Sequence, residues 1–100
     1  MNRPFYSEYV RHCIRFYARN PNKPRFFKSE VDENNWYACH RAIEHYSDRD
    51  KDIILKVYGW YDTLADNVFE VAKAYGIDQN IIWDMLKDFE RVVAKKRGLI

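Results

Sequence analysis

Between Val68 and Lys87 a small residue, a glycine and two apolar runs fall at the spacing needed where two helices are pinned across a sharp turn. Ala72 leaves room for a second helix to approach, Gly76 is free to take the positive φ that ends the first, and Ile77 then turns inward. Val68, Val71 and Tyr75 supply the apolar face before the turn; Ile82, Met85 and Leu86 supply it afterwards. Asp78 stands where the second helix needs an N-cap. The spacing predicts a helix-turn-helix over 62–97, with Gln79, Asn80, Trp83, Asp84 and Lys87 exposed on the first turns after the cap. In a DNA-binding unit those positions face base edges in the major groove. Ordinary helical hairpins share the spacing, so geometry and function are separate expectations.

The rest of the chain reads as helical too. Hydroxyl residues are followed three positions on by an acid at Ser29 and Asp32, at Ser47 and Asp50, and at Thr63 and Asp66, each ahead of an apolar period. The second helix carries Val31, Trp36, Cys39, Ala42, Ile43 and Tyr46; the third carries Ile53, Ile54, Val57, Tyr58 and Tyr61, with Gly59 at its fraying end. A first helix is expected from Pro4 to about Arg19, with Phe5, Tyr6, Tyr9, Val10, Cys13, Ile14 and Tyr17 on one face. Pro21 and Pro24 make 20–28 a linker. The expected fold is all-α: a five-helix compact single domain of 100 residues, divided into a basic helix and linker (1–28), central helices (29–61) and the helix-turn-helix. With no apolar run of membrane-spanning length and no apolar leader at MNRPFYSEYV, a cytoplasmic protein without membrane contact is expected.

Charge is distributed unevenly. Residues 1–28 hold seven bases (Arg3, Arg11, Arg15, Arg19, Lys23, Arg25 and Lys28) against one acid, Glu8. Residues 29–91 hold fourteen acids against seven bases, and the tail adds Lys95, Lys96 and Arg97. A basic helix and arm of this kind suits a phosphate backbone, with Lys23, Arg25 and Lys28 as contacts and Phe26 and Phe27 docking the arm. The same arginines are equally suited to pairing with the acidic middle. Asp78, Asp84, Asp88 and Glu90 count against DNA binding, because acids on a reading helix repel phosphate. If that helix enters the groove, Gln79 and Asn80 read bases, Trp83 packs on a sugar or thymine methyl, and Lys87, Arg91, Lys95, Lys96 and Arg97 meet phosphates.

No catalytic constellation is legible, so an enzyme is not expected and no cofactor is implied. His12 with Cys13 and Cys39 with His40 have the composition of a zinc site, but neighbours on a helix project about 100° apart and converge poorly on one ion. Buried, reduced thiols are the expectation for both cysteines. The aromatic share, 17%, exceeds what a small core hides easily. Tyr58, Trp60 and Tyr61 are therefore candidates for a protein interface, most simply a homodimer or a contact with a host protein.

The runs Ser47 to Tyr58, Val68 to Asp78 and Ile81 to Arg91 resemble the sigma-factor region-four type of helix-turn-helix, in the small stand-alone versions of bacterial phages and mobile elements. The ending Ala94-Lys-Lys-Arg-Gly-Leu-Ile100 is similar to theirs. The likeness covers about the last half of the chain and implies a transcription regulator that binds double-stranded DNA through the helix matching Gln79 to Arg91. The acids on that helix depart from the pattern and leave a second reading open. That reading is a small helical protein-binding module, an inhibitor or adaptor from a mobile element, acting through acidic and aromatic surfaces.

Overall fold

The computed structural model describes residues 4–100, so Arg3 of the basic count lies outside the described residues. The described residues form five helices and no strand: α1 (Ser7–Arg19), α2 (Glu30–Ile43), α3 (Asp48–Gly59), α4 (Leu64–Tyr75) and α5 (Gln79–Lys96). The Cα radius of gyration is 13.1 Å, the value of a compact body of this length.

Local chemistry sets the starts of four helices. The hydroxyls of Ser29, Ser47 and Thr63 accept from the backbone N–H of Asp32, Asp50 and Asp66 at 3.1, 3.2 and 3.2 Å. Each partner residue also places a carboxylate in the first turn, where the helix dipole favours it. Asp78 caps α5 by accepting from Asn80 N–H at 2.7 Å. The first helix lacks such a cap and starts later than expected, at Ser7 instead of Pro4. The Pro4 carbonyl takes the Ser7 N–H at 3.1 Å, because the fixed φ of proline suits a turn as well as a first helical position. Phe5 is consequently outside the helix and exposed, not on its apolar face.

The core is built where α1 crosses α3 and α2, and where α5 lies across α2, α4 and α1. Val10, Ile14, Ile53, Ile54, Val57, Val68, Val71, Ile82, Phe89 and Val93 are fully enclosed there. Other expected apolar positions shift. Val31 in the first turn of α2 is half-exposed, and Tyr46 and Tyr61 lie beyond the helices that were expected to carry them. Gly59 is the last residue of α3 and rests against Ala18 of α1, while its carbonyl accepts from Arg19 Nε.

Two side chains set how α4 follows α3 and how α5 follows α4. Buried Asn67 donates through Nδ2 to the carbonyls of Val57, at 2.9 Å, and of Trp60 and Asp62, which closes the end of α3. Gly76 ends α4 in the left-handed region, φ 65 and ψ 36, and Ile77 N–H returns to the Ala72 carbonyl at 3.0 Å. Gly76, Ile77 and Asp78 are the whole connection to α5. A Cβ at Gly76 meets nothing within 4 Å, so Gly76→Ala tests the left-handed backbone alone. It is expected to destabilise the fold by about 1 kcal/mol, read as a lower urea midpoint with an unchanged slope.

Candidate nucleic-acid interface

One side of the first turns of α5 faces solvent while Ile82 and Leu86 on the other are buried. Gln79, Asn80, Asp84, Lys87 and Arg91 are exposed, and Trp83 is half-buried with its ring against the core edge. Asn80, Trp83, Asp84, Lys87 and Arg91 fall within about 100° of helix circumference at 100° per residue. Gln79 lies about 40° beyond Trp83, at the edge of that arc. With Phe69, Lys73 and Asn80 it lines a shallow depression beside the Gly76 turn. Lys73 was not singled out from sequence, where it reads as an ordinary solvated position of α4. Its place beside the turn follows from how α4 and α5 meet.

The four acids that weigh against nucleic acid on α5 have separate fates. Glu90 is 5% exposed; its Oε2 accepts from Arg11 Nε at 2.9 Å and from the Tyr58 hydroxyl at 2.5 Å. It therefore faces the interior, contrary to its place among the repelling acids. Asp88 accepts from the Tyr46 hydroxyl at 2.6 Å and from Arg91 at 3.0 Å. Asp78 is occupied as the cap. Asp84 remains as an exposed acid with no partner among the described residues.

The same contacts subtract cations. Arg91 is neutralised by Asp88, whereas Arg97 keeps its charge but is engaged, its Nε donating at 2.5 Å to the neutral Oδ1 of buried Asn35, which also accepts from the Tyr9 hydroxyl. Of the first-helix arginines, Arg11 is drawn to Glu90, and Arg19 sits 4.1 Å from the centroid of the Tyr61 ring. Lys87, Lys95 and Lys96 stay exposed on α5, as do Lys23, Arg25 and Lys28 in the arm. Asn35 also lines the cleft beside Lys28, so the arm and the Lys95 to Arg97 end of α5 share one end of the molecule. Along the 18 residues of α5 that end is about 26 Å from Gln79. The residues expected to read bases and most of those expected to hold phosphates are thus separated.

The aromatic candidates divide. Tyr58 is completely buried and offers no surface to a partner, which corrects its assignment to a protein interface. Its hydroxyl is held protonated by burial and by the neighbouring Glu90 charge. Trp60 is 40% exposed and Tyr61 84% exposed, the latter beneath the Arg19 guanidinium. The two histidine–cysteine pairs do not converge. The His40 ring stacks on Trp36 at 4.8 Å and shares a hydrogen bond with the Tyr17 hydroxyl, while Cys13 and Cys39 are buried free thiols. Burial pushes the Cys13 thiol up to about 11. Among the described residues no group of three or more His, Cys, Asp or Glu is placed to hold a metal, and no helix is long and apolar enough to cross a membrane.

No family model, no curated protein and no solved structure matches this chain.

Two stability tests follow from these contacts. Glu90→Ala leaves Arg11 without its partner and is expected to cost about 3 kcal/mol in urea unfolding, with Tyr58→Phe costing about half as much. For Asp88, the Tyr46 hydroxyl first and Arg91 second hold its carboxyl below the usual 3.8. Such a group stabilises the fold above its unfolded pKa and stops doing so as pH falls through the lower folded value. Tyr46→Phe is therefore less stable than the parent near neutrality, and the gap narrows below pH 3.8.

Proposed function

We propose that this chain is a transcription regulator that binds double-stranded DNA by laying the first turns of α5 in the major groove. The supporting observation is the outward presentation of Gln79, Asn80, Trp83 and Lys87 immediately after a tight left-handed turn and a side-chain cap. Amide side chains at the opening of a helix suit bidentate pairing with adenine, and Lys73 and Lys87 flank them as phosphate contacts. The helix N-terminus itself favours phosphate oxygens. The likeness of 47–91 to the sigma-factor region-four type agrees with this use of α5. Burial of Glu90 and occupation of Asp78 and Asp88 weaken the main objection to it.

A protein-binding module is the rival reading, and surface composition favours it. Six acids of residues 62–91 lie at the surface, Glu90 being interior, against Lys73, Lys87 and Arg91, and Phe69 and Ile81 are each about half exposed on α4 and α5. Salt dependence separates the two readings. On the DNA reading, duplex affinity falls steeply between about 50 mM and about 200 mM salt. Asn80→Ala then costs about 1 to 3 kcal/mol on the preferred sequence with little loss elsewhere. Lys87→Ala weakens all sequences alike and flattens the salt slope. Absence of duplex binding at low salt removes the regulator and leaves the protein-binding module.

A further inference from the structure

We propose that the arm over 20–28, together with the faces of α1 and α2 beneath it, is a site for unpaired bases of a single-stranded nucleic acid, with Phe26 as the stacking ring. This site is independent of the α5 reading and lies at the other end of that helix.

The arm is held, so its exposed ring is presented and not merely loose. Trp36, 2% exposed, donates from Nε1 to the Asn20 carbonyl at 2.8 Å and anchors the start of the arm. Phe27 anchors the other end, with its ring 6.1 Å from Trp36 and 6.3 Å from Tyr37. Lys23 lies over the Tyr37 ring at 5.6 Å. Between these anchors Phe26 is 83% exposed, with the Arg25 guanidinium 5.8 Å from its centroid. Exposing such a ring forfeits the transfer free energy its neighbour Phe27 recovers.

Beside Phe26 is a cleft of about 300 Å³ lined by the rings of Phe16, Phe26 and Phe27, with His12, Lys28 and Asp32 among its polar lining. Apolar walls with a polar edge fit a nucleobase, which has a π-face for the rings and hydrogen-bonding edges for the exposed His12 imidazole and for Asn20 Oδ1, whose Nδ2 is already taken by the Phe16 carbonyl. Charge favours the same occupant. Lys23, Arg25, Lys28, Lys95, Lys96 and Arg97 lie at this end against Glu30, Asp32 and Glu33 of the first turn of α2. The excess of three positive charges is the complement of a phosphate chain. The start of α5 and this end are about 26 Å apart along the helix, so the two sites use different residues.

The test is fluorescence anisotropy with a labelled oligothymidine of about twelve nucleotides, beside an abasic strand of the same length and a duplex. The parent chain is expected to bind the oligothymidine in a salt-dependent way and more tightly than the abasic strand. Phe26→Ala is expected to lose about tenfold in affinity for the oligothymidine, Phe26→Trp to retain it, and the abasic strand to register neither change. Because the Phe26 ring is exposed, its removal leaves the fold intact. Equal binding of the two strands, or unchanged binding by Phe26→Ala, overturns the proposal. So does a phenylalanine-bearing acidic peptide that binds more tightly than the oligothymidine and loses that affinity in Phe26→Ala, an outcome that assigns the cleft to a protein. Duplex binding lost in Asn80→Ala and kept in Phe26→Ala reports on α5 alone, which keeps the two readings separately falsifiable.

Discussion

A single carboxylate, that of Glu90, joins three helices at the centre of the molecule. It accepts from Arg11 of α1 and from Tyr58 of α3 while its own backbone belongs to α5. A buried charge is tolerated only when it is paired and its oxygens are hydrogen-bonded, and a rotation of α5 by one residue would strip Glu90 of both partners. The apolar stripe of α5 tolerates small rolls; the carboxylate does not. Glu90 thereby helps set which residues of α5 face solvent, and so which side chains its first turns present.

That constraint changes the meaning of the charge on α5. Counted along the chain, four acids share the helix with its expected base readers, and the balance opposes nucleic acid. Folded, one acid is interior, one is the helix cap and one is locked to a tyrosine and an arginine. Cations are sorted too, since Arg91 and Arg11 are drawn into the same pairs and Arg97, still charged, is tied to the neutral Asn35 amide, which leaves the lysines as the unengaged cations of α5. Lysine is the weaker bidentate reader but a sufficient phosphate contact. The pairs that hold the fold together have therefore sorted the charges into used and available sets.

Aromatic residues are sorted in the same way. Trp36 gathers the rings of Tyr17, Phe27, Tyr37 and His40 around itself, each within about 6 Å. This cluster absorbs much of the aromatic excess that pointed to a protein interface. It also gives the 20–28 arm a fixed seat, although that arm has no helix or strand of its own. The exposed rings outside the cluster, Phe5, Tyr9, Phe26, Trp60, Tyr61 and half of Phe69, come from several separate segments of the chain.

Helix positions were legible in the sequence because their causes are local. A hydroxyl three residues before an N–H, a glycine free to adopt positive φ and an apolar period of 3.6 act within a turn or two of chain. Ser29, Ser47, Thr63, Gly76 and Asp78 needed no tertiary context to be read correctly. The start of α1 was misplaced because proline serves a turn and a helix start equally well. Asn67, Glu90 and Tyr58 could not be read in the same way, since each takes its role from partners on other helices. From sequence Glu90 reads as a solvated acid and Asn67 has no assigned role, while Tyr58, though on the apolar face of α3 by its period, becomes an interface candidate through the high aromatic share. The destination of a polar group depends on which long-range partner satisfies it once water is excluded, and that pairing exists only after the helices have packed.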